Sequence, residues 1–335
     1  MQKDPDDLTV VIMNLKNDGG PRPGRRRLPD RWHQAYEGIL VPLEPDLVAA
    51  TEFTFSQTRP GAPWAETRAA NRRFKAGQRT LDSHGFRADK GQGCNSTGLY
   101  VRRGSFVLDR EPQRHYTRIY RTPPTHVVLR LPEVPQVRIN VISHHAPYCN
   151  PPQNELEAYE LTSVVDKVDD HREISPDLEW EAAWLLGDWN QKPWGLPDIP
   201  WNSPDVTDVV HRCHRADKRS PGPQGLWASR TAVDEVMMDS GMHDAARFAA
   251  LHCGQPHALN PTAGFAPGAA GQGGLCRIDR GYLDGVTVQA VKSVRVLDMT
   301  GISDHHIVII VLSRRRLIRA LRREFPSLKP WALAA

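Results

Sequence analysis

The chain has few cysteines and lysines and no long apolar run. Its five cysteines are scattered and form no Cys-x-x-Cys pair, which argues against a disulfide framework and against a zinc ribbon. The longest apolar run, residues 307–312, is far shorter than the ~20 residues that cross a bilayer, so no membrane span is expected. Acidic residues and a proline replace the basic start of a secretory peptide, which predicts a cytoplasmic, soluble protein.

The positive charge of the chain is carried almost entirely by arginine. Of 43 basic residues, 34 are Arg, and the formal net charge is +4. Guanidinium groups bind phosphate oxygens in pairs, so this bias suits a phosphorylated partner. A GC-rich genome produces the same bias, and both explanations remain open.

Apolar runs between turn residues predict a series of strands. They cover residues 9–13, 46–52, 98–101, 126–131, 137–143, 182–188, 277–283, 291–297 and 306–312. Helical spacing of apolar residues predicts helices after residues 30 and 152 and over residues 232–239. With 335 residues, this alternation of strands and helices indicates one α/β layered domain.

The end of the chain, residues 314–335, alternates arginines with apolar residues at helical spacing. This pattern predicts an amphipathic helical tail that follows a main domain of residues 1–313. We expect the tail to dock on its own domain, with a partner or an anionic surface as the alternative.

Polar residues stand at the ends of six predicted strands. They are Asn14, Glu52, His144, Asp188 with Asn190, Asp279, and Asp304 with His305. Carboxylate and amide oxygens are the ligands that Mg²⁺ prefers. The set also contains histidines but no obvious Ser or Cys nucleophile, which favours attack by an activated water. It can supply a base, a cation site and hydrogen-bond donors, the three requirements for hydrolysis at phosphorus.

Seven short motifs containing these residues occur in a characteristic order. They are Ile12-Met13-Asn14, Ala50-Thr51-Glu52, Ser143-His144-His145-Ala146-Pro147, Gly187-Asp188-Trp189-Asn190, Pro261-Thr262, Arg277-Ile278-Asp279-Arg280 and Ser303-Asp304-His305. In this order they resemble the endonuclease/exonuclease/phosphatase superfamily, which has the DNase I-like fold. The resemblance implies an α/β protein with residues 1–313 as the family domain. It also implies a four-layer α/β/β/α sandwich of two facing β-sheets flanked by helices.

The resemblance also implies a metal site and a catalytic cofactor. Glu52 is expected as the principal metal carboxylate, with Asn14 and Asp304 near the cation. The expected cofactor is Mg²⁺, with Mn²⁺ as a substitute, and the expected reaction is metal-dependent phosphodiester hydrolysis.

The catalytic roles follow from the same resemblance. Asp188 would position or deprotonate the attacking water, and Asn190 would donate to the phosphate or the water. His305, oriented by Asp279, would contact the scissile phosphate. His144 would contact a nonbridging oxygen or protonate the leaving group, and it is preferred over its neighbour His145 because it aligns with the family's His-x-Ala-Pro step.

Two basic segments and several tryptophans bear on the substrate. Basic residues follow the first two strands, and these segments are expected to form a rim that holds a nucleic-acid backbone: Arg22, Arg25, Arg26, Arg27, Arg31, Arg68, Arg72, Arg73, Lys75 and Arg79. The tryptophans suit stacking on bases or, more simply, cover loop cores: Trp64, Trp194, Trp201 and Trp227.

A nuclease acting on DNA or RNA is therefore the leading hypothesis. A phosphatase or phosphodiesterase for a small phosphorylated metabolite or lipid headgroup is the alternative. A catalytically inactive nucleic-acid-binding module is the second alternative.

Overall fold

The computed structural model describes residues 3–21, 27–91, 96–110, 119–166, 168, 180–220 and 225–330. Fourteen strands lie in these ranges: β1 (Asp7–Asn14), β2 (Leu47–Thr51), β3 (Ser83–Arg87), β4 (Gly98–Arg102), β5 (Val107–Arg110), β6 (Thr125–Leu131), β7 (Val134–His145), β8 (Glu181–Asp188), β9 (Ala216–Lys218), β10 (Trp227–Ser229), β11 (Met242–Asp244), β12 (Asp279–Asp284), β13 (Val291–Leu297) and β14 (Ile307–Ser313).

Eight α-helices lie in the same ranges: α1 (Asp30–His33), α2 (Val41–Leu43), α3 (Trp64–Thr80), α4 (Pro151–Leu161), α5 (Val209–Arg215), α6 (Ala232–Asp239), α7 (Ala245–His252) and α8 (Arg314–Leu321). A π-helical stretch, Gln34–Leu40, joins α1 to α2. Among the described residues, no helix has both the length and the apolar character needed to cross a membrane.

The strands form two six-stranded mixed sheets. The first has the order β13-β14-β1-β2-β4-β3, and the second has the order β11-β12-β8-β7-β6-β5. Each sheet contains one parallel pair near its centre, β1 with β2 and β7 with β8. β9 and β10 form a separate two-stranded ribbon.

The main core lies between the two sheets. Alternate residues of each strand point into it, such as Val10 and Ile12 of β1 and Trp184 and Leu186 of β8. The intervening residues face the helices, because Val11 packs in a second cluster with α1 and α3, and Leu185 packs in a third cluster with α4 and α6. Strands buried on both faces explain the uninterrupted apolar runs in the sequence. The predicted four-layer sandwich is confirmed.

The strands that the sequence did not predict are short or polar. β3 reads Ser-His-Gly-Phe-Arg and forms the edge of the first sheet, and β5 forms an edge of the second. β9, β10 and β11 have three residues each. Strand periodicity needs several alternations to be recognisable, so such segments resemble loops in sequence.

The tail folds back on the domain, as expected. Leu317, Ala320 and Leu321 of α8 are buried in the main core, and Ile318 and Phe325 pack against it. Ser313 caps the helix by accepting from the backbone N–H of Arg316 at 3.2 Å. α8 is therefore an integral part of the sandwich, and residues 331–335 lie outside the described ranges.

Candidate active site

Asn14 and Glu52 come from the parallel pair β1 and β2. Asn14 is in register with Thr51, and the chain turns at Glu52 with a φ of +55°. The Asn14 side-chain amide donates to Glu52 Oε1 at 3.4 Å, and the backbone N–H of Asn17 donates to Glu52 Oε2 at 2.7 Å. Two hydrogen bonds therefore hold the Glu52 carboxylate at the ends of β1 and β2.

A tight turn after β1 presents the Asn17 N–H to Glu52. Asn17 and Asp18 both have positive φ angles, 48° and 52°, a conformation that costs free energy in non-glycine residues. Arg73 stabilises this turn, because its Nη1 donates to the backbone carbonyls of Asp18 and Gly20 at 2.7 and 2.9 Å. Arg73 is fully buried. Its assignment to an exposed basic rim was therefore wrong.

Asp188 ends β8 and connects the two sheets. Its Oδ2 accepts from the Asn14 amide at 3.1 Å, and its Oδ1 accepts from the backbone N–H of Asn190 at 2.9 Å. Gly187 has a φ of +151°, and a Cβ there would collide with the carbonyl oxygen of His144. Only glycine allows β7 and β8 to approach this closely at the site.

Asp188 is almost fully buried, at 2% exposed. Burial alone would raise the pKa of Asp188, but the positive charges of His305, His145 and Arg215 hold that pKa below its usual value. Asp188 is therefore ionised at neutral pH.

Asp279 and His305 form the second half of the site. His305 Nδ1 lies 2.8 Å from Asp279 Oδ2 and 4.0 Å from Asp188 Oδ2. Burial alone would lower the pKa of His305, but the charge of Asp279 and the hydrogen bond to it raise that pKa to about 10. The imidazole is thus protonated at neutral pH, with its Nδ1 donating to Asp279.

Thr262, the threonine of the Pro-Thr motif, has a structural role beside the site. Its Oγ1 accepts from the backbone N–H groups of Ile278 and Asp279 at 3.1 and 3.0 Å, and its carbonyl accepts from the N–H of His306 at 2.7 Å. Thr262 therefore links the start of β12 to the segment that carries His305.

Asp304 lies beside this pair but has a different partner. Its Oδ2 forms an ion pair with Lys16 Nζ at 2.7 Å, and the side chain is 27% exposed. Ser303 joins this segment to β1, because its hydroxyl donates to the Asn14 carbonyl at 2.8 Å and accepts from the Lys16 N–H at 3.1 Å. Asp304 is thus close to the site, with Lys16 as its countercharge.

The two adjacent histidines of β7 point in opposite directions. His145 is in register with Asp188, and its Nε2 lies 3.7 Å from Asp188 Oδ2. His144 is fully buried on the helix-facing side, where its Nε2 lies 3.7 Å from Glu157 Oε2 and its ring contacts Trp189. Burial lowers the pKa of His144 to about 3. The structure therefore does not bring His144 to the cluster, and His145 takes the position expected for it.

Several buried oxygens of the site accept no hydrogen bond from the described residues. They are Asn14 Oδ1, Asp279 Oδ1 and Asp304 Oδ1. Unsatisfied buried oxygens of carboxylates and amides are the donor set that suits Mg²⁺ or Mn²⁺. Asp188, Asp279 and His305 also form a cluster in which one ligand atom from each lies within 4.8 Å of the others. The residues present therefore fit a divalent cation.

The other predicted surface residues differ in position. Arg31, Arg68, Arg72, Lys75 and Arg79 are exposed, whereas Arg22, Arg25 and Arg26 lie outside the described residues. Arg280, which follows Asp279 in its motif, is fully buried, and its guanidinium has no hydrogen-bond partner among the described residues. Trp64 is 72% exposed, but Trp201 is 1% exposed and belongs to a small core, so it presents no stacking surface.

No protein-family model matches the sequence, and no curated protein is significantly similar to it. Solved structures are similar in fold. An endonuclease/exonuclease/phosphatase from Bacteroides vulgatus matches with a TM-score of 0.54 at 13% identity, covering 91% of this chain and 98% of that one. A family protein from Bacteroides thetaiotaomicron matches with a TM-score of 0.52 at 13% identity, covering 93% and 96%. The chain has the endonuclease/exonuclease/phosphatase fold.

The endonuclease/exonuclease/phosphatase fold is also seen in a protein from Beutenbergia cavernae, with a TM-score of 0.51 at 14% identity and coverage of 92% of this chain and 72% of that one. These low identities establish a common fold, and the chemistry of the site must be argued from its own residues.

The sequence did not indicate three residues that contact the site. Arg215 donates to Asn190, Lys16 pairs with Asp304, and Asn17 holds Glu52 through its backbone. Lys16 and Asn17 directly follow the first motif, so their proximity to Asn14 was a usable indication. Arg215 has no such indication, because it lies 25 residues from Asn190 in the sequence, at the end of α5.

Proposed function

We propose that this protein is a metal-dependent phosphodiester hydrolase, and specifically a nuclease that cleaves DNA or RNA. The observation that carries the proposal is the convergence of a buried, ionised Asp188 and a protonated His305–Asp279 pair next to Asn14 and Glu52. An anionic base and a cationic donor 4.0 Å apart are the combination that water attack on a phosphodiester requires.

Asp188 is the group that orients and deprotonates the attacking water. Its two oxygens already accept from Asn14 and Asn190, which fixes the direction of the remaining lone pairs. His305 donates to a nonbridging phosphate oxygen through its free Nε2–H, because its Nδ1 is engaged by Asp279. His145, beside Asp188, is the second donor to the phosphate or the leaving oxygen.

Glu52 and Asn14 would hold the divalent cation, with Asp304 as a further oxygen ligand. A cation bound there supplies Lewis-acid stabilisation of negative charge that develops on the phosphate. The raised pKa of His305 keeps this imidazole protonated and so favours a phosphate contact over metal ligation. Mg²⁺ is the expected ion because the donors are hard oxygens.

Arg31 supports a polyanionic substrate. It is exposed, forms no ion pair among the described residues, and lines a groove with Lys16 and Asp304 beside the site. The groove also contains the exposed ring of Phe265. Cations next to an aromatic surface suit a nucleic-acid strand.

We place this activity in the cytoplasm, consistent with the reduced cysteines expected there.

Cleavage assays with plasmid DNA, single-stranded DNA and RNA oligonucleotides and inositol phosphates test the proposal. Each is run with Mg²⁺, with Mn²⁺ and with a chelator. Nucleic acid should be cleaved only in the presence of metal. Cleavage of a small ester with nucleic acid left intact would replace the nuclease by a phosphatase, and binding of oligonucleotide with no cleavage of any substrate would indicate an inactive module.

Two substitutions test the residues. Glu52→Gln and Asp188→Asn should each lower kcat by about 100-fold or more while the protein stays folded at the assay temperature, which a melting curve checks. Glu66→Gln and Asp205→Asn are matched controls, because both side chains are exposed and neither is one of the residues that form the site. Unchanged turnover in both site variants would refute this active site.

A further inference from the structure

A second cavity, of about 140 Å³, opens beside the active site at Asp304 and His305. His305 lines this cavity and also contacts the phosphate in the proposed reaction. A group bound in the cavity would therefore be a neighbouring part of the substrate. Residues of the segment between β8 and β12 form most of its walls.

The walls of this cavity are rigidly built. On one side, Trp201 packs with Val206 and Ala216 in a small separate core, and its indole N–H donates to Ser229 Oγ at 2.7 Å. On the other side, Ala263 forms β-bridges to both Cys276 and His305. The cavity is therefore preorganised, because both walls are tied to structure that exists without a ligand.

The charge inside the cavity is positive. Lys192 is 8% exposed, and its Nζ donates to the Leu196 carbonyl at 2.6 Å, while Arg215 donates to Asn190. Neither side chain forms an ion pair with a carboxylate in the described part of the chain. The one carboxylate at the rim, Asp304, is already paired with Lys16.

A buried cation without a carboxylate partner is costly unless an anion balances it, and Lys192 is such a cation. Arg215 is partly buried, and its charge already interacts with Asp188 in the active site. The third lining group, His211, does not add charge, because burial and the positive charge of Arg215 lower its pKa to about 4. It remains a neutral hydrogen-bonding group at pH 7. Ile199 and Ile278 give the cavity an apolar side that tolerates the carbon skeleton of an organic phosphate.

We propose that this cavity binds a second phosphoryl group of the substrate, adjacent to the phosphate that is hydrolysed, through Lys192 and Arg215. The inference rests on the proposed function and narrows its substrate class to molecules with at least two neighbouring phosphates. Both a nucleic-acid strand and a small polyphosphorylated metabolite carry such a pair.

Matched substrates with and without the second phosphate test the cavity. The dinucleotides pTpT and TpT form one pair, and inositol 4,5-bisphosphate and inositol 4-phosphate form the other. The wild type should prefer the first member of at least one pair by about 10-fold or more in kcat/KM, the effect expected of a charged hydrogen bond. A preference within the dinucleotide pair would indicate a nucleic-acid substrate, and a preference within the inositol pair would indicate a small phosphorylated metabolite.

Variants of Lys192 distinguish recognition of the second phosphate from the hydrolysis step. Lys192→Met should abolish the preference and leave kcat/KM for TpT within about two-fold, and Lys192→Arg should retain most of the preference. Lys218→Met, which removes an exposed lysine of β9 in the same segment, is the control. Ala269→Leu, which fills the cavity at a position outside the groove that contains Arg31, should act like Lys192→Met.

Calorimetric titration of pTpT and TpT in chelator gives a readout that does not depend on turnover. The wild type should bind pTpT about 10-fold more tightly than TpT, and Lys192→Met should bind both equally. If pTpT binds more tightly than TpT but no substrate is hydrolysed under any condition, the proposed function is overturned and the phosphate-binding role of the cavity is supported. Hydrolysis without any preference in binding or kcat/KM would overturn the cavity assignment and leave the hydrolase intact.

Discussion

Arg215 donates hydrogen bonds to both the backbone carbonyl and the side-chain oxygen of Asn190, at 2.5 and 2.7 Å. The Asn190 amide nitrogen donates to the Ala146 carbonyl at 2.7 Å. These contacts define the orientation of the Asn190 amide and use one of its two side-chain N–H groups. Because Asn190 also donates its backbone N–H to Asp188, Arg215 at the end of α5 indirectly positions the base.

Replacing Arg215 should therefore impair chemistry. Arg215→Met should lower kcat for TpT by about 10-fold or more, with a smaller change in KM, because a loosened Asn190 affects the transition state more than binding. Arg215→Lys should restore only part of the rate, since lysine lacks the two-pronged donor geometry. Arg212→Met on the same helix is the control. Equal losses of kcat for the Arg212 and Arg215 variants would indicate general disruption of α5.

The two histidines of β7 should respond differently to the same substitution. His145→Gln should lower kcat by at least about 10-fold because it removes a donor beside Asp188. His144→Gln should leave kcat nearly unchanged, since its side chain faces α4. Steady-state kinetics and melting temperatures of both variants check this. A larger kinetic loss for His144 would reverse the assignment.

Glu157 should make stability depend on pH. Burial raises its pKa to about 7, although the N–H groups of Arg121 and Gln153 donate to the carboxylate and oppose this shift. A carboxyl group with a raised folded-state pKa contributes stability that is present below its unfolded pKa, near 4.5, and is lost as pH rises towards 7. The expected loss is on the order of 1–3 kcal/mol in the free energy of unfolding.

Glu157→Gln should remove that decline, because the amide cannot ionise. Unfolding in urea between pH 4.5 and 8 measures it, with Glu160→Gln, an exposed glutamate of the same helix, as the control. If the free energy of unfolding changes with pH in the same way in the wild type and in the Glu157 variant, the raised pKa of Glu157 is contradicted.

The C-terminal helix should be necessary for stability. Leu317 is fully buried in the main core, so Leu317→Ala should reduce the free energy of unfolding by about 2–5 kcal/mol. Arg316→Ala, which changes an exposed neighbour on α8, should alter it by less than about 0.5 kcal/mol. Urea unfolding compares the two. A cost near zero for Leu317→Ala would mean that α8 does not dock in solution.

Much of the fold could be predicted because the central strands are buried on both faces. β8 and β14 are continuous apolar runs, and the polar residue at each end marks where the chain leaves the core. The edge strands β3 and β5 could not be predicted, since they are short and partly solvent-facing. Their pairing depends on neighbouring strands that are distant in sequence.

The candidate site was only partly predictable for a related reason. The order of the motifs and the chemical types of the residues at the strand ends could be read from the amino acids alone, because these are local properties. The contact of Asn14 with Asp188 across the two sheets depends on the packing of the sheets, and so does the position of His145 at the site where His144 was expected. A strand turns each successive side chain to the opposite face, so a one-residue ambiguity in sequence becomes a choice between core and site. Arg73 and Arg215 show the same limit, since their partners are brought to them by the folding of distant segments.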